Sequence, residues 1–258
     1  MKDFAVQREF KVDKLSVKIY ESRAEMGAAA ASAAAGELRR LLEKQPDVRM
    51  IFAAAPSQNE FLEALVKSPG IAWERITAFH MDEYLGLPAG APQSFGEYLR
   101  TRIFGKVPFK EVFYLQPDTP DIKKECDRYA GLLEEAPIDM VCMGIGENGH
   151  VAFNDPPVAD FEDPLLVKVV ELDMACRQQQ VHDGCFSRLE DVPRQAITLT
   201  VPALMSGGQL HVMVPGPTKT KAVTAALTGP IDTYCPASIL RTHPNSVLYL
   251  DKESGRGI

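Results

Sequence analysis

The sequence predicts an α/β fold: one Rossmann-like, doubly wound domain over residues 1–258, with a mostly parallel central sheet flanked by helices. Three observations carry this expectation. Apolar runs of strand length alternate with segments of helical period. Runs such as IDMVCM are apolar throughout, as strands covered on both faces are. No proline-rich linker, composition shift or internal repeat divides the chain.

Taken in order, LSVKIY (Leu15 to Tyr20) alternates like a strand. The alanine-rich segment after it reads as a helix, because Ser22 and Glu25 have the spacing of a capping box and Pro46 stops it. VRMIFAAA (Val48 to Ala55) follows as a strand, then a helix near Glu60 to Lys67, the strand RITAFHM (Arg75 to Met81) and a helix near Ser94 to Phe104. EVFYL (Glu111 to Leu115), a helix near Ile122 to Glu134 and the strand IDMVCM (Ile138 to Met143) complete the first half. In the second half LVKVVEL, AITLTV, QLHVMV and SVLYL read as strands, with PTKTKAVTAAL (Pro217 to Leu227) as a helix between the last two.

Composition bounds the function. A chain that is 45% hydrophobic and 24% charged, with net charge -7, lacks the basic patch that nucleic-acid binding requires, although a local site for a small anion stays open. No stretch approaches the length of a membrane span, and the N-terminal MKDFAVQREFKVD is charged where a signal peptide is apolar, so a cytoplasmic protein is expected. Five cysteines without a C-x-x-C suggest neither a disulfide framework nor a zinc knuckle. The sequence leaves the oligomeric state open.

GIGENGHVAFNDPP (Gly144 to Pro157) opens with G-x-G-x-x-G, the pattern of a dinucleotide-binding turn. That mechanism requires a helix opening on the third glycine, where the pyrophosphate would sit. Pro156 and Pro157 forbid one here, so the nucleotide reading is set aside.

In open parallel sheets ligands bind beyond the carboxyl ends of the strands. Four such ends carry polar or glycine-rich sequence: APSQNE, MDEYLGL, GIGENGHVAFND and PGPTK. Asp82 and Glu83 stand side by side after an apolar run, either as solvated turn carboxylates or as a general base with a raised pKa. His150, on a glycine turn with Asp155 five residues on, is either a structural histidine or a proton carrier oriented by that carboxylate. Lys219 falls in the first turn of a helix, where it opposes the helix dipole unless an anion binds there too. Ser57 with Glu60 can be a helix cap, yet the amides of Ser57, Gln58 and Asn59 would face the same cleft. Arg177 is either a further phosphate partner or part of a surface helix.

MDEYLGL, GIGENGHVAFNDP and VPGPTK, in this order and spacing, resemble the glucosamine-6-phosphate deaminase family, also called glucosamine-6-phosphate isomerase, from about Val48 to Leu250. The resemblance implies conversion of an aminosugar phosphate to fructose 6-phosphate and ammonia, without metal or redox cofactor. It implies that Asp82 is the base moving a proton from C2 to C1, that His150 assists opening of the sugar ring, and that Lys219 holds the phosphate. Asn148 and Asp155 replace an aspartate and a glutamate of well-studied members, so both are expected at the ring-opening end, while Glu83 and Gly146 of the two motifs are expected to line the substrate site. The family's Gly-Gly-Thr phosphate turn reads AAPSQN here, and its phosphate-binding arginine aligns near Gln180, which leaves the anion contacts to Ser57, Gln58, Asn59 and Arg177.

Within this reading galactosamine 6-phosphate is an alternative substrate. 6-Phosphogluconolactonase shares the fold and a similar glycine turn, but reads D-E-R where this chain has Asp82, Glu83 and Tyr84, and T-A-S where it has Val151, Ala152 and Phe153. A non-catalytic sugar-phosphate sensor of the regulator type would carry a helix-turn-helix ahead of the domain, and too few residues precede the first strand for one.

Overall fold

A computed structural model of the chain describes residues 5–88 and 90–258; Met1 to Phe4, part of the charged N-terminal stretch, and Ala89 lie outside the described residues. The strands are β1 (Arg8–Val12), β2 (Leu15–Tyr20), β3 (Val48–Phe52), β4 (Ile76–His80), β5 (Asp82–Tyr84), β6 (Glu111–Phe113), β7 (Met140–Met143), β8 (Val167–Glu171), β9 (Gln195–Leu199), β10 (Gln209–Val214) and β11 (Ser246–Asp251). The α-helices are α1 (Arg23–Lys44), α2 (Asn59–Val66), α3 (Phe95–Leu99), α4 (Ile122–Glu134), α5 (Met174–His182), α6 (Val201–Met205) and α7 (Thr220–Thr228).

Eight strands form the main sheet in the order β1-β2-β11-β10-β7-β3-β4-β6. Neighbours pair in parallel throughout, except β1 with β2. From β3 the chain runs outward to β4 and β6, then returns through β7 on the other side of β3. That reversal opens a crevice at the carboxyl ends of β3 and β7.

Each face of the sheet has its own core. Met50 and Phe52 of β3 face α1 and α2 with Met26, Leu38, Phe61 and Leu65, while Ile51 packs in the opposite layer with Tyr129 of α4 and Val223 of α7. Strand side chains alternate between faces, so a strand covered on both sides must be apolar throughout.

Helix α1 begins as its sequence requires: the Ser22 hydroxyl accepts a hydrogen bond from the Glu25 amide at 3.3 Å. Its small residues allow α2 to cross closely, and a Cβ on Gly27 would lie 2.5 Å from Glu60 Cβ and 2.8 Å from the Glu60 carbonyl carbon.

Several elements depart from expectation. LVKVVEL and AITLTV are strands, but β8 and β9 leave the main sheet and form a separate three-stranded sheet, β5-β9-β8, with antiparallel pairs. MDEYLGL therefore starts as strand β5, not as a turn, because Asp82, Glu83 and Tyr84 pair with Thr198, Ile197 and Ala196. The segment near Ser94 to Phe104 is α-helical only to Leu99 and continues as a π-helical turn, Arg100–Phe104. Strand β1 and helix α6 have no counterpart in the sequence reading. No helix among the described residues is long and apolar enough to cross a membrane.

Alanine improves helix propensity over glycine by about 1 kcal/mol, but at Gly27 it meets backbone that cannot move aside, and overpacking costs about 1–3 kcal/mol. Gly27→Ala is therefore expected to lower stability, measured as a reduced denaturation midpoint in urea.

Candidate active site

A cavity of about 250 Å³ lies at the carboxyl ends of the main-sheet strands, and Ser57, Asp82, Gly146, His150 and Lys219 all line it. They come from four strand ends, Ser57 after β3, Asp82 after β4, Gly146 and His150 after β7, and Lys219 after β10, as the doubly wound topology requires.

Asp82 marks the passage from β4 to β5. The Met81 amide donates to Phe52 O at 3.2 Å and the Leu199 amide donates to Met81 O at 2.8 Å, which pins the backbone to both sheets. The side chain is 6% exposed, and among the described residues no donor bonds its carboxylate. Burial, and secondarily the charge of Glu83, raises its pKa well above the ordinary aspartate value. Glu83 points elsewhere: it accepts hydrogen bonds from the amides of Tyr84, Phe95 and Gly96 at 2.9, 3.0 and 2.8 Å, caps the start of α3 and does not line the cavity. Beneath it, burial lowers the His80 pKa to about 3, so the imidazole is neutral and its 3.8 Å approach to Glu83 is not an ion pair.

The loop after β7 carries no helix, and the nucleotide reading stays excluded. Instead the chain folds back on itself, with Gly149 at φ 88° and Ala152 at φ 49°. His150 Nδ1 lies 2.9 Å from Asp155 Oδ1, at ion-pair distance though not in line for a straight N–H···O bond. Asn148 secures both partners: its Nδ2 donates to Asp155 Oδ1 at 2.9 Å and its Oδ1 accepts from the His150 amide at 3.1 Å. Burial alone would raise the Asp155 pKa, but the His150 contact, the Asn148 amide and the Asp173 amide more than offset it and keep the carboxylate ionised below its usual range. The imidazole lies against Gly146, where a Cβ would fall 2.2 to 2.4 Å from three ring atoms. Glu147 turns away from the cavity, with Oε2 3.3 Å from Nδ1 of the half-exposed His182.

His150, Asp155 and Cys176 each offer a ligand atom within 4.8 Å of the others. Burial pushes the Cys176 thiol well above its usual range, which opposes the thiolate that metal ligation needs.

The Lys219 end of the cavity is built on two turns. After β10, the Gly216 amide donates to both carboxylate oxygens of Asp251, at 3.0 and 3.1 Å, with Gly216 at φ 95°. This places Lys219 at the cavity wall, where burial lowers its pKa against the opposing charges of Asp183 and Glu147. After β3, Ser57 does not cap α2. Its Oγ accepts from Gln58 Nε2 at 3.0 Å, and Glu60 pairs with Arg23. The Gln58 amide donates to Ala55 O and the Asn59 amide to Pro56 O, so of these three amides only that of Ser57 is left for a ligand.

The side chains of Gln58 and Asn59 are also committed away from the cavity. Gln58 Nε2 bonds the carbonyls of Met143 and Met213 at 3.3 and 3.4 Å, tying the ends of β7 and β10 together. Asn59 Oδ1 accepts from Tyr98 and Arg102, each at 2.7 Å. Arg177 is neither a phosphate partner nor a surface residue. It is buried, and its guanidinium donates to the carbonyls of Leu189 and Val192 at 2.8 and 2.9 Å, closing the loop after α5.

Sequence reasoning missed Arg23, Gln179, Gln180 and Asp183, which line the cavity. Gln180 accepts from the Tyr84 hydroxyl at 2.6 Å. Gln179 and Asp183 stand one turn apart on and just after α5, a period-four signal that a helix reading of CRQQQVHD would have exposed.

Fold and cavity together define an α/β enzyme equipped for acid–base chemistry on a small anionic ligand. The chain belongs to the family described as glucosamine-6-phosphate isomerases/6-phosphogluconolactonase, whose model matches residues 21–249. A glucosamine-6-phosphate deaminase of Listeria innocua is 35% identical over 208 residues, covering 81% of this chain and 87% of the relative. The structure of a monomeric glucosamine-6-phosphate deaminase superposes with a TM-score of 0.86 at 26% identity, over 94% of this chain and 99% of that one. A 6-phosphogluconolactonase from Thermotoga maritima shares the fold, with a TM-score of 0.76 at 20% identity over 93% and 100% of the two chains.

The raised pKa of Asp82 has a consequence for stability. A carboxyl group whose pKa is higher folded than unfolded contributes most below its unfolded value, near 3.8, and that contribution is lost as pH rises through the folded value. Asp82→Asn is therefore expected to be more stable than the parent at pH 8, by about 1–3 kcal/mol, with the advantage shrinking toward pH 4 in thermal scans. Gly146→Ala is expected to keep the fold while displacing the imidazole, seen as a shifted His150 ring resonance with a nearly unchanged melting temperature.

Proposed function

We propose that this chain converts glucosamine 6-phosphate and water into fructose 6-phosphate and ammonia. The observation that carries the reading is the meeting of a buried, unpartnered Asp82, a carboxylate-paired His150 and a buried Lys219 on one cavity. Aldose-to-ketose isomerisation needs those three functions: a base beside two adjacent carbons, a proton carrier at the ring oxygen, and an anchor for the anion.

The sequence of steps follows from their placement. His150, oriented by Asp155, moves the proton between the C1 hydroxyl and the ring oxygen as the ring opens to the aldehyde. Asp82 then removes the proton from C2 while the substrate's ammonium gives one proton to the C1 oxygen, leaving an enolamine, and Asp82 returns its proton to C1. The product is a protonated imine at C2. Water adds to that carbon, the carbinolamine expels ammonia, and the ketone remains. Burial raises the basicity of Asp82 above that of an ordinary aspartate, the direction a general base requires. Asp155 supplies the negative charge that Asn148 cannot, so the imidazolium formed in ring opening has a counter-ion despite the asparagine. Five free cysteines, three of them buried, support a reducing, cytoplasmic setting.

The test is incubation with glucosamine 6-phosphate and, separately, galactosamine 6-phosphate in heavy water, following ammonia and ketose phosphate together. Stoichiometric release of both, with deuterium in the ketose, is expected; no ammonia from either sugar would overturn the reading. Asp82→Asn should lower kcat by about 100- to 10,000-fold while retaining affinity for the phosphate. His150→Asn should slow turnover most when the sugar enters as the closed ring.

A further inference from the structure

We infer that Arg23 is the second phosphate-binding cation of this site, acting with Lys219 and the Ser57 amide; the inference rests on the function proposed above and identifies which residues read the phosphate. The turn after β3 offers few free donors: Pro56 has no amide hydrogen, and the Gln58 and Asn59 amides bond within the turn. On the α5 side of the cavity the Gln180 amide oxygen is occupied by the Tyr84 hydroxyl, and Arg177 is spent on two carbonyls of its own loop. Lys219 alone would face a phosphate of up to two negative charges.

Arg23 enters the same cavity from the first residue of α1, on the other side of the β3 turn. Its guanidinium is already fixed: Nε and Nη2 donate to the two carboxylate oxygens of Glu60 at 2.9 and 3.1 Å, and Nη2 also donates to Pro56 O at 2.9 Å. Nη1 has no partner among the described residues. A planar fork anchored along one edge presents its remaining N–H groups in a set direction, which suits a phosphate oxygen better than a mobile lysine does. The anchor ties the charge to a turn whose one free amide is that of Ser57, and so adds donors where the backbone offers few. Asp183, held by Gln179 Nε2 at 3.1 Å, acts electrostatically on both Arg23 and Lys219, which places the two cations about one carboxylate.

The experiment compares the parent with Arg23→Met, which keeps the apolar stem, and Arg23→Lys, which keeps the charge. Measured are KM and kcat for glucosamine 6-phosphate and the competitive inhibition constant of inorganic phosphate. For Arg23→Met, KM and the phosphate constant should both rise about 10- to 100-fold with kcat within about threefold, and Arg23→Lys should recover part of both. A purely structural role would lower kcat and leave phosphate inhibition as in the parent, and that result overturns the inference. If the parent turns over no aminosugar phosphate, the proposed function fails, and calorimetric binding of glucosamine 6-phosphate and of phosphate to the three proteins still decides Arg23: equal affinities, or no binding to the parent, refute it.

Discussion

A largely buried carboxylate without a hydrogen-bond donor is costly to fold around, and Asp82, on the cavity wall, is such a group. Its cost is sustained because the backbone on either side is not free to relax. Met81 is bonded to β3 through its amide and to β9 through its carbonyl, so the junction of the two sheets holds the side chain at the cavity. The apolar layers on both faces of the main sheet supply the stability that the site forgoes. Glu83, one residue on, shows the contrast: three backbone amides satisfy it, and it serves the start of α3. Two adjacent carboxylates thus take different roles because a strand turns successive side chains to opposite faces.

The histidine turn follows a different logic, that of a ring set against a carboxylate by a braced loop. Asn148 bridges the His150 backbone and the Asp155 carboxylate, while Gly146 leaves room for the ring and Gly149 permits the fold-back. Asn148 carries no charge, so the counter-charge to His150 in this turn rests on Asp155, whose carboxylate remains ionised despite its burial. Positioning and charge compensation, which one acidic residue can combine, are divided here between two side chains.

Much of this was legible in the chain itself. The alternation of apolar runs with helical segments, the capping box at Ser22, and polar strand ends around Asp82, His150 and Lys219 are local properties, set by side-chain periodicity, backbone donors and proline stereochemistry. Local chemistry therefore determined the fold class, the absence of a nucleotide-binding helix after Gly149, and the strand ends that carry the site. Tertiary structure decided the partners. Glu83, Gln58, Asn59 and Arg177 look equally available for a ligand in the sequence, but Glu83, Gln58 and Arg177 are consumed mainly by backbone groups distant along the chain, and Asn59 by the side chains of Tyr98 and Arg102. Arg23 looks like an ordinary first-turn residue and becomes a wall of the cavity because α1 and α2 cross at Gly27. Whether β8 and β9 extend the main sheet or leave it likewise depends on long-range pairing with β5. A hydrogen bond between residues distant along the chain has no local signature, so its partners are known only once the layers have packed.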